Sequence, residues 1–360
     1  MIKMVVEVAG ECGLNINKGK SNVLLFNHDR IRLEEVGGMK VSNTIRYLGV
    51  DVGDSIKCFR EYRKGKIQLA ERMANLTVSV ISKSCDKLLI GKTYWKSVVQ
   101  PRVLSAAAEV VWTKDERKQF QRVENRVWRQ ILGAPIYTPV AALQGEIGAS
   151  SVEGRDMKMK LKFANYMANT ANGLLAAIFR KLTSEARPKI WVRQLREYLG
   201  ELGLYFSDVG RMDTDDIGRE INKWENNGWR RDIESKTTLE LYRSKGNFGD
   251  EGMYSNEYGS VLLFQCRTNT LKLRWRQGFE DGAMDCLLCR GGEETLRHFV
   301  MESRELQEIR RRYGVYGTEA LEEGLMFMEK NEEKVNRCKK MLEEMWRVRR
   351  RKLSSCSEGK

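Results

Sequence analysis

From Cys58 onward, apolar residues recur at steps of three and four over a long segment, which is the spacing of one face of an α-helix. The series comprises Phe59, Tyr62, Leu69, Met73, Leu76 and Val80. Only four prolines occur in 360 residues, so few positions force such a helix to stop. We therefore expect a mainly α fold with a long amphipathic helix beginning near position 58.

Two more helices are predicted by the same periodicity. A helix over 87–99 should end before Pro101, because proline disfavours the α conformation of the residue ahead of it. The next helix should close at Gly133, since glycine is the typical C′ residue. Its apolar stripe comprises Phe120, Val123, Val127 and Ile131. Together these helices predict a helical bundle.

Residues typical of helix ends predict the remaining helices. Thr138-Pro139 is expected to be an N-cap followed by proline at the first helical position, in a short helix that ends near Gly148. A Gly-rich, polar stretch over 246–259 is the predicted linker. The other helices are expected at 154–182, 189–199, 213–224, 232–244 and about 318–351.

Strands are expected only near the N-terminus. Residues 1–12 are predicted to be the end of a helix that is stopped by Gly13. Short apolar runs then follow at 23–26, 39–41 and 45–52, with Gly37-Gly38 as a turn between them. This pattern predicts two or three strands.

The charge favours polyanionic partners. The chain has 63 Lys and Arg against 49 Asp and Glu, a formal net charge of +14 and a pI near 9.4, which suits nucleic acid or an acidic membrane surface. Apolar runs such as 261–264 are far shorter than the roughly 20 residues of a membrane helix, and the first eight residues do not form a secretory signal. We expect an intracellular protein, in cytoplasm or nucleus, that binds no membrane. Its eight scattered cysteines are expected to be reduced thiols.

Five short motifs occur in order along residues 13–148. They are Gly13-Leu14-x-Ile16-Asn17-x-x-Lys20-Ser21, Tyr47-Leu48-Gly49-Val50, Gln100-Pro101 with Glu109-x-x-Trp112, Arg129-Gln130-Ile131-Leu132-Gly133-Ala134-Pro135, and Thr138-Pro139-x-Ala141-x-Leu143-x-x-Glu146-x-Gly148. In this order they resemble the reverse transcriptases of non-LTR retrotransposons. The resemblance covers residues 1 to about 170 well, and the cysteine region around 286 moderately.

The resemblance implies that the chain is the C-terminal portion of an RNA-directed DNA polymerase. The fold class it implies is mainly α, a helical thumb-like bundle with a small N-terminal β remnant of a polymerase palm and a further helical C-terminal region. The implied division is a palm remnant with a primer-grip-like hairpin (1–56), a helical thumb-like domain (57–200), a helical connector and linker (201–260), a degenerate zinc-knuckle-like region (261–312) and a charged C-terminal helix and tail (313–360).

Residues in the palm remnant are implied to lie near nucleic acid. Lys20 occupies the place of a family lysine proposed to approach the phosphates of the incoming nucleotide. The alternative is a helix-to-strand turn with solvated lysines, which is favoured in a chain without a metal-bound phosphate. Tyr47 and Gly49 resemble the primer grip, where glycine lets the backbone approach a strand of nucleic acid. The alternative is an ordinary buried strand.

Two basic groups suit a nucleic-acid backbone. Lys118, Arg122, Arg126 and Arg129 follow one side of a helix, and each phosphate contact would add about 0.9 to the slope of log K against log salt. Arg274, Trp275 and Arg276, with Arg267 and Lys272 nearby, combine charge with an aromatic ring, whose stacking on an unpaired base contributes roughly 1 to 3 kcal/mol. The alternatives are a solvated helix face and, for the second group, core residues at 271, 273 and 275 flanked by solvated charges.

The sequence Cys286-x2-Cys289-x8-His298 resembles the Cys-Cys-His-Cys zinc knuckle that many family members carry. The fourth ligand should fall at position 303, where this chain has Ser303, a poor zinc ligand. Glu302, four residues after His298 on a predicted helix, is a candidate substitute. The alternative is two reduced cysteines and a surface histidine, with no Zn²⁺ bound. Mg²⁺ is implied only for a full-length parent enzyme.

No catalytic residue is expected. In the family the metal-binding aspartates lie just ahead of the Gly13-type segment, and this sequence begins twelve residues before it. Asp213-Thr214-Asp215-Asp216 is better explained as an acidic helix N-terminus than as a polymerase site. Three functions remain open. The chain is a polymerase fragment that binds template-primer nucleic acid (RNA or an RNA/DNA duplex) without polymerising, a stand-alone nucleic-acid-binding module, or a translated remnant without function.

Overall fold

The computed structural model describes residues 2–26, 33–47, 50–53, 56–274, 284–314, 321–327 and 331–357. These residues are mainly helical with a small N-terminal sheet, as the sequence predicts. The helices described before the cysteine region are α1 Ile2–Glu11, α2 Ile56–Ser82, α3 Lys87–Tyr94, α4 Gln100–Val103, α5 Lys114–Leu132, α6 Val140–Ile147, α7 Val152–Asn169, α8 Gly173–Ser184, α9 Ile190–Glu201, α10 Thr214–Glu234 and α11 Tyr258–Arg267. Three follow it: Gln307–Arg312, Leu321–Gly324 and the C-terminal helix, Glu332–Ser357.

The strands lie within the first 53 residues, as expected, but the described residues form five short strands and not the predicted two or three. They are β1 Asn22–Val23, β2 Glu35–Val36, β3 Met39–Val41, β4 Thr44–Tyr47 and β5 Val50–Gly53. In the first sheet β3 lies between β1, which is parallel to it, and β2, which is antiparallel. The strands β4 and β5 form a hairpin in which Tyr47 pairs with Val50, and residues 48 and 49 between them lie outside the described part.

The long helix α2 confirms the predicted helix but corrects its buried face. Its buried side chains include Ile67, Ala70, Ala74 and Ile81, whereas the side chains at positions 76 and 80, predicted as apolar contacts, are exposed. The reason is the position of α5, which runs parallel to α2. An Arg63–Glu116 ion pair (2.8 Å) fixes one end of this contact, and an Arg126–Asn75 hydrogen bond (3.2 Å) fixes the other. The buried face of α2 is therefore the face that is turned toward α5.

Pro101 does not end the second helix, which corrects another prediction. The chain passes from α3 through a π-helical turn, Trp95–Val99, into α4, and Pro101 lies in the first turn of α4. The Gln100 N–H donates to the Trp95 carbonyl across the wider π turn. Proline has no N–H and is tolerated in the first turn of a helix, so the wider turn lets the chain stay helical.

The carboxylate of Glu124 on α5 holds the π turn in place. It accepts hydrogen bonds from the Trp95 indole (2.7 Å) and the Gln100 amide (2.8 Å). Its other oxygen accepts from the Arg155 guanidinium on α7 (2.6 Å). Glu124 is fully buried, so these bonds supply the partners that a buried charge requires.

The ends of α5 and α6 follow the expected signals, except that the N-cap of α6 is one residue later than predicted. Thr113 and Glu116 form a capping box at the start of α5, and Gly133 (φ 61°) ends it. Gly148 (φ 62°) ends α6 as predicted, but Pro139 rather than Thr138 is its N-cap. Thr138 is buried instead, and its carbonyl accepts a hydrogen bond from Arg129.

Three predicted helix boundaries are wrong. The expected helix over 154–182 is two helices, α7 and α8, because the Asn172 side chain accepts from the Leu175 N–H and starts a new helix. The helix predicted over 213–224 continues to Glu234, so 232–244 holds only short 3₁₀ turns after it. In the described part of 318–351, a short helix, Leu321–Gly324, precedes the C-terminal helix.

Two hydrophobic clusters form the core. The first joins α2 to α6 with α11 and the C-terminal helix, and the second joins α7, α8, α9 and α10. The stretch 246–259, predicted to be a linker, supplies Met253 and Tyr254 to the first cluster. The larger core therefore connects residues far apart in sequence, whereas the predicted domain division stays a prediction.

A buried ionic cluster lies inside the larger core. The guanidinium of Arg267 contacts Glu146 (3.2 Å) and Glu251 (3.3 Å), and Lys245 pairs with Glu251. Arg267 also donates to the carbonyls of residues 325 and 326, both at 2.9 Å. Burial alone would lower the pKa of Arg267, but Glu146 and neighbouring tyrosines outweigh it and keep the pKa above its ordinary value. The sequence analysis placed Arg267 beside a nucleic-acid-binding cluster, and its complete burial excludes that role.

We predict that Arg267→Met lowers the free energy of unfolding by about 3–5 kcal/mol, because two buried carboxylates then lose their shared cation. Urea denaturation followed by circular dichroism measures this change. The matched control is Arg219→Met, which removes an exposed pair with Asp216 and should change stability by less than about 1 kcal/mol. Equal effects of the two substitutions would show that the cluster is not important for stability.

Candidate metal centre and basic cleft

Cys286, Cys289 and His298 lie together, as the spacing of the motif predicts. One ligand atom from each, the two sulfurs and a ring nitrogen, lies within 4.8 Å of the others. The Cys289 Sγ is 3.2 Å from the His298 Nε2. A tight turn forms the cysteine side of the site, because the Cys286 N–H donates to the Gly292 carbonyl (2.7 Å). The arrangement could hold a metal ion.

Glu302 lies on the far side of the histidine ring. His298 and Glu302 are the two ends of a π-helical turn, and the Glu302 Oε2 is 3.6 Å from the His298 Nδ1. The other ring nitrogen, Nε2, faces Cys289. Within the described part of the chain, Glu302 does not join the ligand cluster. Its other oxygen accepts a hydrogen bond from Arg297 (3.1 Å).

Ser303 fills the place where a fourth ligand was expected. Its side chain is completely buried, and its hydroxyl has no hydrogen-bond partner among the described residues. The hydroxyl is also one of the groups that lower the pKa of Cys289, which places it close to that thiol. The Ser303 hydroxyl therefore lies beside a candidate metal ligand.

The two thiols differ in acidity. Burial raises the pKa of Cys286, and backbone hydrogen bonds from Cys289 and Leu288 only partly oppose it. Burial also acts to raise the pKa of Cys289, but the Gly291 N–H and the His298 side chain outweigh it and lower the pKa to about 7. Thiolate is the form that binds metal. Cys289 is therefore the thiol better prepared to bind an ion.

A buried ion pair attaches this site to the C-terminal helix. Glu294 lies beside the cysteine turn and accepts two hydrogen bonds from Arg349, at 2.8 and 2.7 Å. The same carboxylate accepts from the Arg274 N–H (2.8 Å). The Arg349 guanidinium also lies over the Trp346 ring. The candidate metal site thus has a rigid support on one side.

A second feature is a cleft of about 800 Å³ between the β4–β5 hairpin, α2 and the segment formed by the π turn and α4. Four cations line it: Arg46, Lys66, Arg72 and Arg102. Two carboxylates, Asp51 and Glu61, line it as well, so the cleft has a net positive lining. Sequence reasoning missed these cations because they are brought together only when the hairpin packs on α2.

The side chain of Lys66 is fixed in position within this cleft. Its ammonium donates to the Arg102 carbonyl (2.9 Å) and the Ser105 hydroxyl (2.5 Å), and it lies 5.1 Å from the centre of the Tyr62 ring. Burial lowers the pKa of Lys66, and the positive charge of Arg46 lowers it further. An anion in the cleft would relieve that repulsion.

The predicted nucleic-acid contacts have mixed positions. Lys20, Tyr47, Lys118, Arg122 and Arg126 are exposed. Arg129 is partly buried and donates to the Thr138 carbonyl, and burial lowers its pKa. Gly49, Trp275 and Arg276 lie outside the described residues.

The segment before the cysteines also contributes to the core. Leu271 and Leu273 are buried in the larger cluster, which matches the alternative interpretation of this stretch as core residues flanked by charges. Arg274 is anchored through its backbone to Glu294.

The aspartates at 213–216 form a helix cap, as the sequence analysis concluded. The Asp213 carboxylate accepts hydrogen bonds from the N–H groups of Asp215 and Asp216, and the Asp216 carboxylate accepts one from the Asp213 N–H. These backbone bonds lower the pKa of Asp213. The group is not a metal-binding cluster within the described part of the chain.

No protein-family profile matches this chain, and comparison with curated proteins and with solved structures gave no match. Among the helices of the described ranges, none is both long and apolar enough to cross a bilayer.

We predict that a thiophilic divalent ion raises the unfolding temperature, because an ion that binds only the folded chain adds about 2.7 kcal/mol at a concentration 100 times its Kd. Differential scanning calorimetry with and without the ion measures the shift. Cys286→Ser should abolish the shift. Cys85→Ser, which changes an exposed cysteine outside the cluster, should keep it. A shift of the same size in the Cys286→Ser protein would exclude this site.

Proposed function

We propose that this chain binds template-primer nucleic acid, RNA or an RNA/DNA duplex, as the C-terminal part of a non-LTR retrotransposon reverse transcriptase. The observation that carries the proposal is the cationic cleft formed where the hairpin carrying Tyr47 meets the helical bundle. In the family that the motifs resemble, a hairpin and a helical thumb in this order hold the primer strand. The cleft has cations at that junction, and these cations are not part of the motifs that resemble the family.

The chemistry of the cleft favours a phosphate backbone over a small metabolite. Its cations are distributed over three separate elements, and Arg46, Arg72 and Arg102 are exposed. Spread, solvent-facing cations attract an extended polyanion and release its counterions. Tyr47 on the same hairpin is 67% exposed, which provides an aromatic surface on which a base can stack.

The helix α5 offers a second set of contacts. Lys118, Arg122 and Arg126 are exposed and follow one side of this helix, whereas its opposite side is packed in the core. A rigid row of cations at helical spacing suits contacts to successive phosphates. The row and the cleft both involve α2, whose Asn75 contacts Arg126 and whose Lys66 lines the cleft.

We also propose Zn²⁺ as the ion at Cys286, Cys289 and His298. Two thiolates and an imidazole are the donors that zinc prefers over magnesium or calcium. The buried, unpartnered Ser303 hydroxyl beside the thiols fits a site that is completed by an ion. Bound zinc would fix the cysteine turn against the C-terminal helix.

The proposed role is binding without polymerisation. Two-metal nucleotidyl transfer needs carboxylates that hold both ions. In the described ranges, the one group of three or more candidate ligands is the cysteine and histidine site. Asp51 and Glu61 in the cleft each lie near a cation, Arg46 and Lys57, at 3.9 Å.

We predict that Arg72→Gln combined with Arg102→Gln weakens binding of a fluorescent RNA/DNA duplex and lowers the salt slope by about 2, roughly 1 for each lost phosphate contact. Fluorescence anisotropy over a range of salt concentrations measures both quantities. The control, Lys181→Gln with Arg187→Gln, removes the same charge from exposed positions outside the cleft and should leave the slope nearly unchanged.

Two outcomes would contradict this proposal. One is no measurable binding of the unmodified chain at low salt. The other is an equal loss of slope in both double variants, because that would attribute binding to net charge and not to the cleft.

We predict that the purified chain incorporates no nucleotide on a primed template with Mg²⁺ or Mn²⁺, because its described residues form no carboxylate cluster that could hold both ions. Primer extension resolved on a denaturing gel measures incorporation. An active reverse transcriptase in parallel controls the substrate, and any template-dependent extension by this chain would refute binding without catalysis.

A further inference from the structure

Ser303 stands at the position where the fourth ligand of the metal site was expected. Ser303 is completely buried, and its hydroxyl finds no hydrogen-bond partner in the described part of the molecule. A buried polar group without a partner is unfavourable, so its persistence needs a reason. The hydroxyl lies close to the Cys289 thiol, which would be a ligand if an ion were bound.

We propose that the centre formed by Cys286, Cys289 and His298 keeps one coordination position open to a small exchangeable nitrogen or sulfur donor. This inference rests on the proposal that the site binds zinc. It concerns the number of protein ligands, which decides whether the site is closed and structural or open and reactive.

Ser303 itself does not close the site. Strong zinc ligands in proteins are thiolate, imidazole and carboxylate, and a neutral hydroxyl is a poor substitute. The serine hydroxyl can instead donate a hydrogen bond to whatever group occupies the fourth position. A bound water or an external donor would thus satisfy the orphaned hydroxyl, and neither is needed to hold the fold.

Glu302 does not close the site either. Its carboxylate approaches the His298 Nδ1 at 3.6 Å, while Nε2 faces the thiols. The carboxylate therefore lies on the side of the ring away from the thiols and does not reach the ligand cluster. The protein supplies three donors, which is the number found in zinc sites that retain an exchangeable ligand.

The cysteine turn is the side of the centre nearest solvent. Cys286 and His298 are buried, but Cys289 is partly exposed and the next two residues, Arg290 and Gly291, are exposed. We therefore expect a small donor to approach past this turn. Zinc is a borderline-soft ion, so nitrogen and sulfur donors suit the vacancy in its coordination better than oxygen alone.

The test uses the full chain loaded with Co²⁺, whose visible absorption reports coordination, and imidazole as the external donor. The unmodified protein should show a saturable change of its Co²⁺ spectrum as imidazole is added. Ser303→Cys supplies a fourth thiolate, so it should bind Co²⁺ about tenfold more tightly or better and show no response to imidazole. Ser303→Ala, which has no hydroxyl and no new ligand, should still respond.

The outcomes separate the two proposals. If the unmodified chain binds Co²⁺ but ignores imidazole, the open position is refuted and the zinc proposal stands. If the Ser303→Cys chain responds as strongly as the unmodified chain, the assignment of the open position to the side of Ser303 is refuted, because position 303 then does not adjoin the ion. If the unmodified chain binds no Co²⁺ beyond the level of a Cys286→Ser chain, both proposals fail. Circular dichroism of each variant verifies that it folds.

Discussion

The larger core depends on one buried cation, the guanidinium of Arg267. It joins carboxylates from α6 and from the stretch before α11, and it binds two carbonyls just after the short helix Leu321–Gly324. The carboxylate of α6 lies more than a hundred residues before the other two segments along the chain. Burying the charges is unfavourable until all of them meet, so the cluster favours one arrangement of these segments over partial ones.

Local signals predicted the helices and their ends best where a side chain or glycine acts within a few residues. Gly133 and Gly148 ended helices as expected because their left-handed backbone depends on residue type alone. Pro101 failed as a stop signal because the π turn before it depends on Glu124, which arrives from another helix. The buried face of α2 failed for a similar reason, since α5 decides which side is covered.

The candidate sites also differ in whether local sequence or tertiary packing forms them. The cysteine and histidine cluster was predictable because its three donors come from one short segment with a recognisable spacing. The orphaned hydroxyl of Ser303 and the position of Glu302 behind the ring were not, because they depend on a π turn that the spacing does not reveal. The cationic cleft was also missed, since Arg46, Lys66 and Arg102 come from elements that only packing brings together.

The Glu124 carboxylate has a mechanical consequence. Through Trp95 and Gln100 it binds the π turn that precedes Pro101 and Arg102 in the wall of the cleft, and through Arg155 it binds α7, a helix of the second hydrophobic cluster. The same buried group therefore serves the cleft wall and the contact between α5 and α7. A movement of the cleft wall relative to α5 would also disturb that contact.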